Sequence, residues 1–586
     1  MKYSDQIADW LVQMNYTHCF YVGGGNIMHL IESLSNKLVC VPVIHEVAAG
    51  IATEYFNETS QGKKALALVT AGPGLTNIVT AIAGAYLESR ELLLIGGQVK
   101  TPDLARGKLR QRGIQEIDGV SIVGPITVKS VLLDEVVGFK EFTDIVNHSG
   151  QARKGPVFIE MPIDVQAREV NFKAEVYRNE VALSYPRVGE GDLQLIAKKI
   201  NTAKRPLMLI GGGVSRETTK KLQAALKKLG FPIATTWNAA DRIAADQENY
   251  VGRPNTWGQR SANLIIQQAD LLLAIGTRLG MQQTGFNWQN FVPNGEIIQV
   301  DIDQSELDKG HPSTDMPLLA DANAFLSDLL TMKLTAHPEW LAFTREIRAS
   351  IPLVEPINQT GNNYLSPYVF AEKLSTLCAD NDVVIPCSSG GAFTIMMQTF
   401  EQKAEQIIVT NKGLASMGYG LSGAIGAAVA HPDKRVVLVE GDGGFAQNIQ
   451  EIGTAAINQL NLKIFIFDDS GYASIRATQR NYFGGRYVGC DRNTGLGLPD
   501  WEKLFTAWGV PVMRVNVGYE LDPAFLASFN SIGVAAFIVS IDPNQTYLPK
   551  ITSRITENGS MESNPLHLMT PELNEEQFST LAKYLL

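Results

Sequence analysis

The sequence predicts an α/β protein made of three doubly wound parallel-sheet domains, and three observations predict it. The chain of 586 residues is 45% hydrophobic and 19% charged, the balance of a folded globular protein with material for about three or four domains. Short β-rich apolar runs recur along it, each ending in Gly or Ser and followed by a stretch with helical spacing of apolar residues. That grammar appears three times.

In the first stretch, Ala65 to Thr70 reads as a strand that ends in Ala71-Gly72-Pro73-Gly74 and leads into a helix over Thr76 to Tyr86. A second strand, Leu92 to Ile95, runs into Gly96-Gly97, and Pro156 to Met161 closes a domain at 1–170. Past a polar linker at 167–191, Pro206 to Ile210 reads as a strand, Gly211-Gly212-Gly213 as a turn and Thr218 to Leu229 as a helix. Strands at Leu271 to Ile275 and Ile297 to Asp301 complete a central domain at 188–335. The third domain, 362–557, has strands at Val383 to Ile385, Val436 to Val439 and Lys463 to Phe467, with helices at Ser422 to Ala430 and Ile449 to Asn458. The tail, 558–586, carries acids and helix formers and shows no role at this level.

Composition removes several classes of partner. The net charge of -10 and the pI near 5.5 repel a phosphate backbone, and no Lys/Arg stripe with interleaved aromatics reverses that locally, so nucleic acid is not expected. Met1 to Val12 lacks a basic segment followed by an apolar core, and no run of 18 apolar residues occurs, so the expectation is a cytoplasmic protein without a membrane partner. The five cysteines (Cys19, Cys40, Cys378, Cys387, Cys490) are odd in number and scattered; they read as buried small hydrophobes rather than zinc ligands or a disulfide framework.

The motif that carries chemistry follows Val436 to Val439, where Glu440-Gly441-Asp442-Gly443-Gly444-Phe445 enters a helix whose first turn would aim N–H groups at an anion. Asp442 adds a hard oxygen ligand, and the next apolar strand ends in Asp468-Asp469-Ser470-Gly471. Two adjacent strand ends can share one ion, and carboxylates beside phosphates suit a hard divalent cation such as Mg²⁺. A lone Gly-Asp-Gly would equally suit a nucleotide turn with ordinary loop acids; the second element favours the metal. A dehydrogenase using NAD or CoA would need a dinucleotide fingerprint with a ribose acid, and none stands at the first βα turn.

These residues resemble the signature of the thiamine-diphosphate-dependent enzymes. The resemblance implies that Asp442, the Asp469 side chain and the Gly471 carbonyl hold a metal on the diphosphate, with Gly443, Gly444 and Gly390 at the cofactor. Asp469 stands where the family usually has Asn, an extra negative charge expected to weaken cofactor retention. The enzymes of this family need a glutamate in an apolar pocket to drive the aminopyrimidine of the coenzyme, and Ile44-His45-Glu46-Val47-Ala48-Ala49-Gly50 offers Glu46; alone, such a glutamate is as well explained by the helix dipole. Ala71 to Asn77, with Pro73 and Asn77 at the cofactor, and Gly96-Gly97-Gln98 resemble the acetohydroxyacid synthase branch in order and spacing. So does Asn411 to Gly420, which implies that Met417 wedges the coenzyme into a bent shape, with core filler as the alternative. Gln115, in Ile114-Gln115-Glu116, falls where the branch places a Gln near the reacting carbon, and Ile475 falls at a cofactor position.

In the central domain, Gly211-Gly212-Gly213, the segment around Trp257, Gly276-Thr277-Arg278, Asp301 and Asp321 resemble the flavin domain of that branch, which implies FAD in a structural or vestigial role; retention of the domain without flavin is the alternative. The resemblance further implies decarboxylation of pyruvate and transfer of a two-carbon unit, in a homodimer or homotetramer with active sites between subunits. The Arg and Trp that grip a 2-oxo acid acceptor in the branch are Gln282 and Thr478 here, so the guanidinium fork for a carboxylate is missing. Arg476 to Gly489 and Gly23 to Met28 resemble acetolactate-synthase-like proteins of surface-polysaccharide (O-antigen) pathways. The implied acceptor is then the ketone of a nucleotide-activated deoxysugar, giving a branched sugar, with Arg476, Arg480 and Arg486 available to its diphosphate or simply solvated. Acetolactate synthesis, simple 2-oxo acid decarboxylation, a flavin-dependent oxidase and a non-catalytic paralogue are the competing functions; Glu46 argues against the last.

Overall fold

The computed structural model describes residues 1–177, 185–555 and 558–585. The expected linker at 167–191 and the expected end of the third domain at 557 therefore fall partly on residues 178–184 and 556–557, outside the described residues.

Eighteen of the described strands form three six-stranded parallel sheets. The first holds β1 (Tyr16–Tyr21), β2 (Val39–Pro42), β3 (Lys64–Val69), β4 (Leu92–Gln98), β5 (Lys129–Leu132) and β6 (Pro156–Pro162) in the order β2-β1-β3-β4-β6-β5. The second holds β7 (Pro206–Ile210), β8 (Ile233–Thr235), β9 (Tyr250–Gly252), β10 (Leu271–Ile275), β11 (Glu296–Asp301) and β12 (Met316–Leu319) in the order β12-β11-β10-β7-β8-β9. The third holds β13 (Val383–Ile385), β14 (Ile407–Ile408), β15 (Val436–Gly441), β16 (Leu462–Asp468), β17 (Val512–Val515) and β18 (Ala535–Ser540) in the order β14-β13-β15-β16-β18-β17. The first and third share one winding. Central strands such as β4, β7 and β10 are buried along their whole length, as a parallel sheet covered by helices on both faces requires, and this is why they read as unbroken apolar runs.

In a doubly wound sheet, loops at the carboxyl ends of the strands open a crevice where the strand order reverses. The reversals fall between β1 and β3, between β7 and β10, and between β13 and β15. The turns singled out in the sequence leave those strands: Ala71 to Gly74 after β3, Gly211 to Gly213 after β7, Gly276 to Arg278 after β10, Gly390 after β13 and Asp442 after β15.

The residues fall into two compact units. One comprises 1–183, 382–393 and 409–540, the other 184–381, 394–408 and 541–586. In the first unit, helix Glu46–Thr59 lies against helix Tyr419–Ala430 so closely that a Cβ on Gly426 would stand 2.1 Å from the Ala52 carbonyl oxygen. The same unit contains a buried polar knot. The Glu54 carboxylate accepts from Arg90 Nη1 at 2.6 Å, Asn411 Nδ2 at 3.1 Å and the Tyr419 hydroxyl at 3.1 Å, so a fully buried charge is paired and hydrogen-bonded.

Two expected helices differ in form. The stretch after Gly-Asp-Gly is broken into Asp442–Phe445, a 3₁₀ turn at Ala446–Asn448 and Glu451–Ile457; the two glycines disfavour helix, and Asn448 Nδ2 donates to the Gly418 carbonyl at 2.7 Å. Thr218 to Leu229 is two pieces, Arg216–Lys221 and Gln223–Lys228. The five cysteines are free, with all but the half-buried Cys40 buried.

The tail has a structural role that its sequence did not show. Helix Glu575–Leu581 and the residues after it pack in the second unit: Leu581 and Ala582 join Leu207, Leu272, Ile297, Trp340 and Phe343 in one core, and Gln268 Nε2 donates to the Leu581 carbonyl at 2.9 Å. Leu581→Ala is expected to destabilise this unit by about 2–5 kcal/mol, seen as an earlier denaturant transition; an unchanged midpoint would contradict the role given to the tail.

Candidate active site

The N-terminal part of the site is built at the reversal between β1 and β3. Glu46 is the first residue of its helix, after an N-cap at His45. Its carboxyl is buried, and Oε2 accepts from Asn77 Nδ2 at 3.0 Å. The backbone entering Glu46 is held by Glu451, whose Oε1 accepts from Ile44 N at 3.2 Å and His45 N at 3.0 Å. Gly72 has φ +64, and a Cβ there would stand 2.5 Å from the Gln115 carbonyl oxygen, so both conformation and space demand glycine. Gln115 is thereby seated beside the start of the helix that carries Pro73 and Asn77, both exposed.

Gln115 itself is exposed with φ +64, a strained backbone that persists only where neighbours enforce it. The enforcing residue is Glu116. Its buried carboxylate accepts from Ala105 N, Arg112 N (2.9 Å) and Gly113 N (3.0 Å); burial opposes its charge, the backbone N–H groups outweigh burial, and the carboxyl is held below its usual range. Gln98 ties the same loop down, donating from Nε2 to the Ile117 carbonyl at 2.9 Å and to Glu160 Oε1 at 3.1 Å. Burial first, and the Asp118 charge second, push the Glu160 carboxyl up to about 8.

The second part lies at the reversal between β13 and β15. Register places Gly441 beside Phe467, so Asp442 and the pair Asp468-Asp469 emerge from neighbouring strand ends. Asp442 is buried; Oδ1 accepts from Gly443 N at 2.7 Å, while Oδ2 has no hydrogen-bond partner among the described residues. Burial, then the charges of Asp469 and Asp468, push its carboxyl well up. The Gly471 carbonyl oxygen lies 3.5 Å from where a Cβ on Gly443 would stand, which brings the second strand end onto the first. Gly471 must be glycine, because a Cβ would meet the Cys490 carbonyl at 2.1 Å. Around Gly441 and Gly390 an added Cβ would meet nothing within 4 Å, whereas Gly444 faces Glu440 Oε1 at 3.1 Å. Met417 joins this cluster, with Gln447 Nε2 3.6 Å from its sulfur and the Ser388 hydroxyl donating at 2.5 Å to the carbonyl of Ser416. Met417 is 38% exposed and Ile475 47%.

In the second unit, Gly211 N donates to the Ile275 carbonyl at 2.8 Å and Gly213 N to the Gly276 carbonyl at 2.9 Å, so the turns after β7 and β10 meet. Thr277 is buried and Arg278 exposed beside them. Asp321 caps helix Ala322–Leu329, accepting from Ala324 N at 2.7 Å, and Asp301 accepts from Asp303 N at 3.0 Å. Trp257 is half-buried with Lys550 Nζ 4.8 Å above its ring.

Comparison with known proteins shows the family. Models of the thiamine pyrophosphate enzymes match three segments: the N-terminal binding domain at residues 1–122, the central domain at 193–329 and the C-terminal binding domain at 389–539. The chain is 30% identical to a probable acetolactate synthase large subunit of Methanocaldococcus jannaschii, over all of this chain and 98% of the relative. It is 29% identical to the acetolactate synthase isozyme 1 large subunit of Escherichia coli, over 93% and 95% of the two chains. A Corynebacterium glutamicum acetolactate synthase large subunit is 29% identical over 88% and 82%. The chain belongs to the acetolactate synthase-like thiamine-diphosphate enzymes. Among the described residues no helix is long and apolar enough to cross a membrane.

For thiamine diphosphate with a divalent cation, the donor set of this enzyme fits. Asp442 Oδ2 is buried without a hydrogen-bond partner among the described residues, the Gly471 carbonyl lies beside the adjoining Gly443, and Gly390 and Gly441 leave open space for phosphate oxygens. No hydrogen bond or ion pair among the described residues joins Glu46 to the Asp442 cluster. Of the three arginines offered to a nucleotide, Arg476 is not at the surface: it is buried and bonded to Asp469, because the helix Ala473–Tyr482 turns it inward, while Arg480 is half-buried and Arg486 exposed. Sequence alone missed Glu116, Glu160 and Glu451. Each acts through backbone or amide groups distant along the chain or in an irregular loop, and no local pattern marks such partners.

The pH dependence of Glu160 gives a test. With its folded pKa raised, the neutral carboxyl contributes stability that is complete below the usual carboxylate range and is lost as pH rises through about 8. Glu160→Gln, a neutral mimic, is expected to gain stability on wild type as pH rises from the usual carboxylate range to about 8, and to hold that gain above it, in denaturant titrations; parallel profiles would contradict the burial of that proton.

Proposed function

We propose that this enzyme decarboxylates pyruvate and joins the two-carbon unit to the ketone of a nucleotide-activated deoxysugar. The observation that carries the reaction type is the pair of carboxyl groups in their two settings: Glu46 with Oε2 fixed by Asn77, and Asp442 with Oδ2 buried and unmet. Asp442, Asp469 and the Gly471 carbonyl would hold Mg²⁺ on the diphosphate; Gly390, Gly443 and Gly444 would approach it, and Met417, Ile475, Pro73 and Asn77 would line the ring portion. When bound, thiamine diphosphate supplies the electron sink for decarboxylation. Glu46 Oε1 holds the proton that switches the aminopyrimidine, with Oε2 fixed by the amide, and Gln115 donates to substrate oxygens from its enforced backbone. Glu46 and the diphosphate cluster come from different copies of the chain, in a homodimer or homotetramer.

The acceptor follows from what the chain puts in place of charge. Gln282 is exposed and neutral, and the Thr478 hydroxyl is turned back on its own helix, donating to the Ser474 carbonyl at 3.0 Å; neither clamps a carboxylate. The crevice between β7 and β10, the usual position for a dinucleotide, where glycine turns meet and Arg278 is exposed, would hold FAD. An absorbance spectrum of the purified protein reports it.

Glu46→Gln is expected to slow CO₂ release from pyruvate by about 10²–10⁴-fold, measured with a keto-sugar nucleotide present. Pyruvate alone is expected to give slow release, and addition of the keto-sugar to accelerate it with a branched sugar as product. Abundant acetolactate from pyruvate alone would instead establish the acetolactate synthase reaction that the names of the relatives describe.

A further inference from the structure

Asp469 is an aspartate beside a place meant for two phosphates and already furnished with Asp442, and an unbalanced charge there would repel the diphosphate. The structure balances it. Arg476 Nη2 donates to Asp469 Oδ1 at 2.8 Å and to the Asp469 main-chain carbonyl at 2.7 Å, with both side chains buried. The neighbouring Asp468 has its own cation, with Arg514 Nη1 3.6 Å from Oδ2. Of the three aspartates at these two strand ends, Asp442 alone forms no ion pair among the described residues.

We propose that Arg476 is the positioning residue that makes an aspartate usable at 469. The guanidinium neutralises one carboxylate oxygen and fixes the strand end through the carbonyl, so that Oδ2 turns to the cation while the pair presents to the diphosphate the net charge of a neutral amide. A buried ion pair is costly to break from one side and far less costly to replace from both, and that asymmetry distinguishes this role from general packing. The inference rests on Asp469 being a metal ligand of a thiamine-diphosphate site.

The test is a double-mutant cycle read by binding. Wild type, Asp469→Asn, Arg476→Met and the double variant are titrated with thiamine diphosphate at fixed Mg²⁺, following tryptophan fluorescence, and with Mn²⁺ by electron paramagnetic resonance; the melting temperature of each cofactor-free protein controls for folding. Arg476→Met is expected to weaken thiamine diphosphate binding by roughly ten- to a hundredfold, and Asp469→Asn in the same chain to restore most of that loss. An equal loss from Arg476→Met in both backgrounds overturns the charge pairing while leaving the site assignment intact. A wild-type protein that binds no thiamine diphosphate with Mg²⁺ overturns the site assignment and this inference together.

Discussion

A buried carboxylate oxygen without a partner is the constraint on which the site depends. Asp442 Oδ2 lies at the end of a central strand, out of water, with the charges of Asp468 and Asp469 close by. Leaving a charge so placed costs several kcal/mol; among the described residues Asp442 forms no ion pair, whereas Asp469 pairs with Arg476 and Asp468 with Arg514. We propose that a cation brought from outside relieves that charge. The doubly wound sheet makes this possible: with strands parallel and the order reversing between β13 and β15, the Gly390 turn, the Gly-Asp-Gly turn, the Met417 turn and the Asp469-Gly471 corner are assembled at one crevice.

The N-terminal sheet repeats the same winding for a different purpose. Where the third sheet collects hard oxygen ligands, the first sets a single buried glutamate against an amide and a backbone-strained glutamine. Glu116, Gln98 and Glu451 keep those groups in place by bonding backbone, and Glu160 accepts from the Gln98 amide. In the second unit, the central sheet uses the strand order of a dinucleotide fold and closes one face with the C-terminal tail.

Much of this was legible in the sequence because parallel strands buried on both faces are apolar without interruption, and their ends are marked by glycine. Pro206–Ile210, Leu271–Ile275 and Val383–Ile385 have the bounds their residues announce. Short or half-exposed edge strands such as β2 and β5 gave no such signal. At the site, Asp442, Gly471 and Glu46 stood out because chemistry needs those residue types at strand or helix ends. Arg476 read as a nucleotide contact or a solvated charge, since nothing in Ile475-Arg476-Ala477 tells that its helix turns the guanidinium onto Asp469; we propose that the same contact changes Asp469 from a liability into a balanced ligand. The tail, polar and acid-rich on paper, hid the apolar face formed by Leu581 and Ala582.

The claim that two strand ends are bridged by a cation has one direct measurement: anomalous scattering from crystals grown with Mn²⁺ and thiamine diphosphate. A peak within bonding distance of Asp442 Oδ2, Asp469 and the Gly471 carbonyl is the expected result. Density for the coenzyme with no anomalous peak between those oxygens would contradict it.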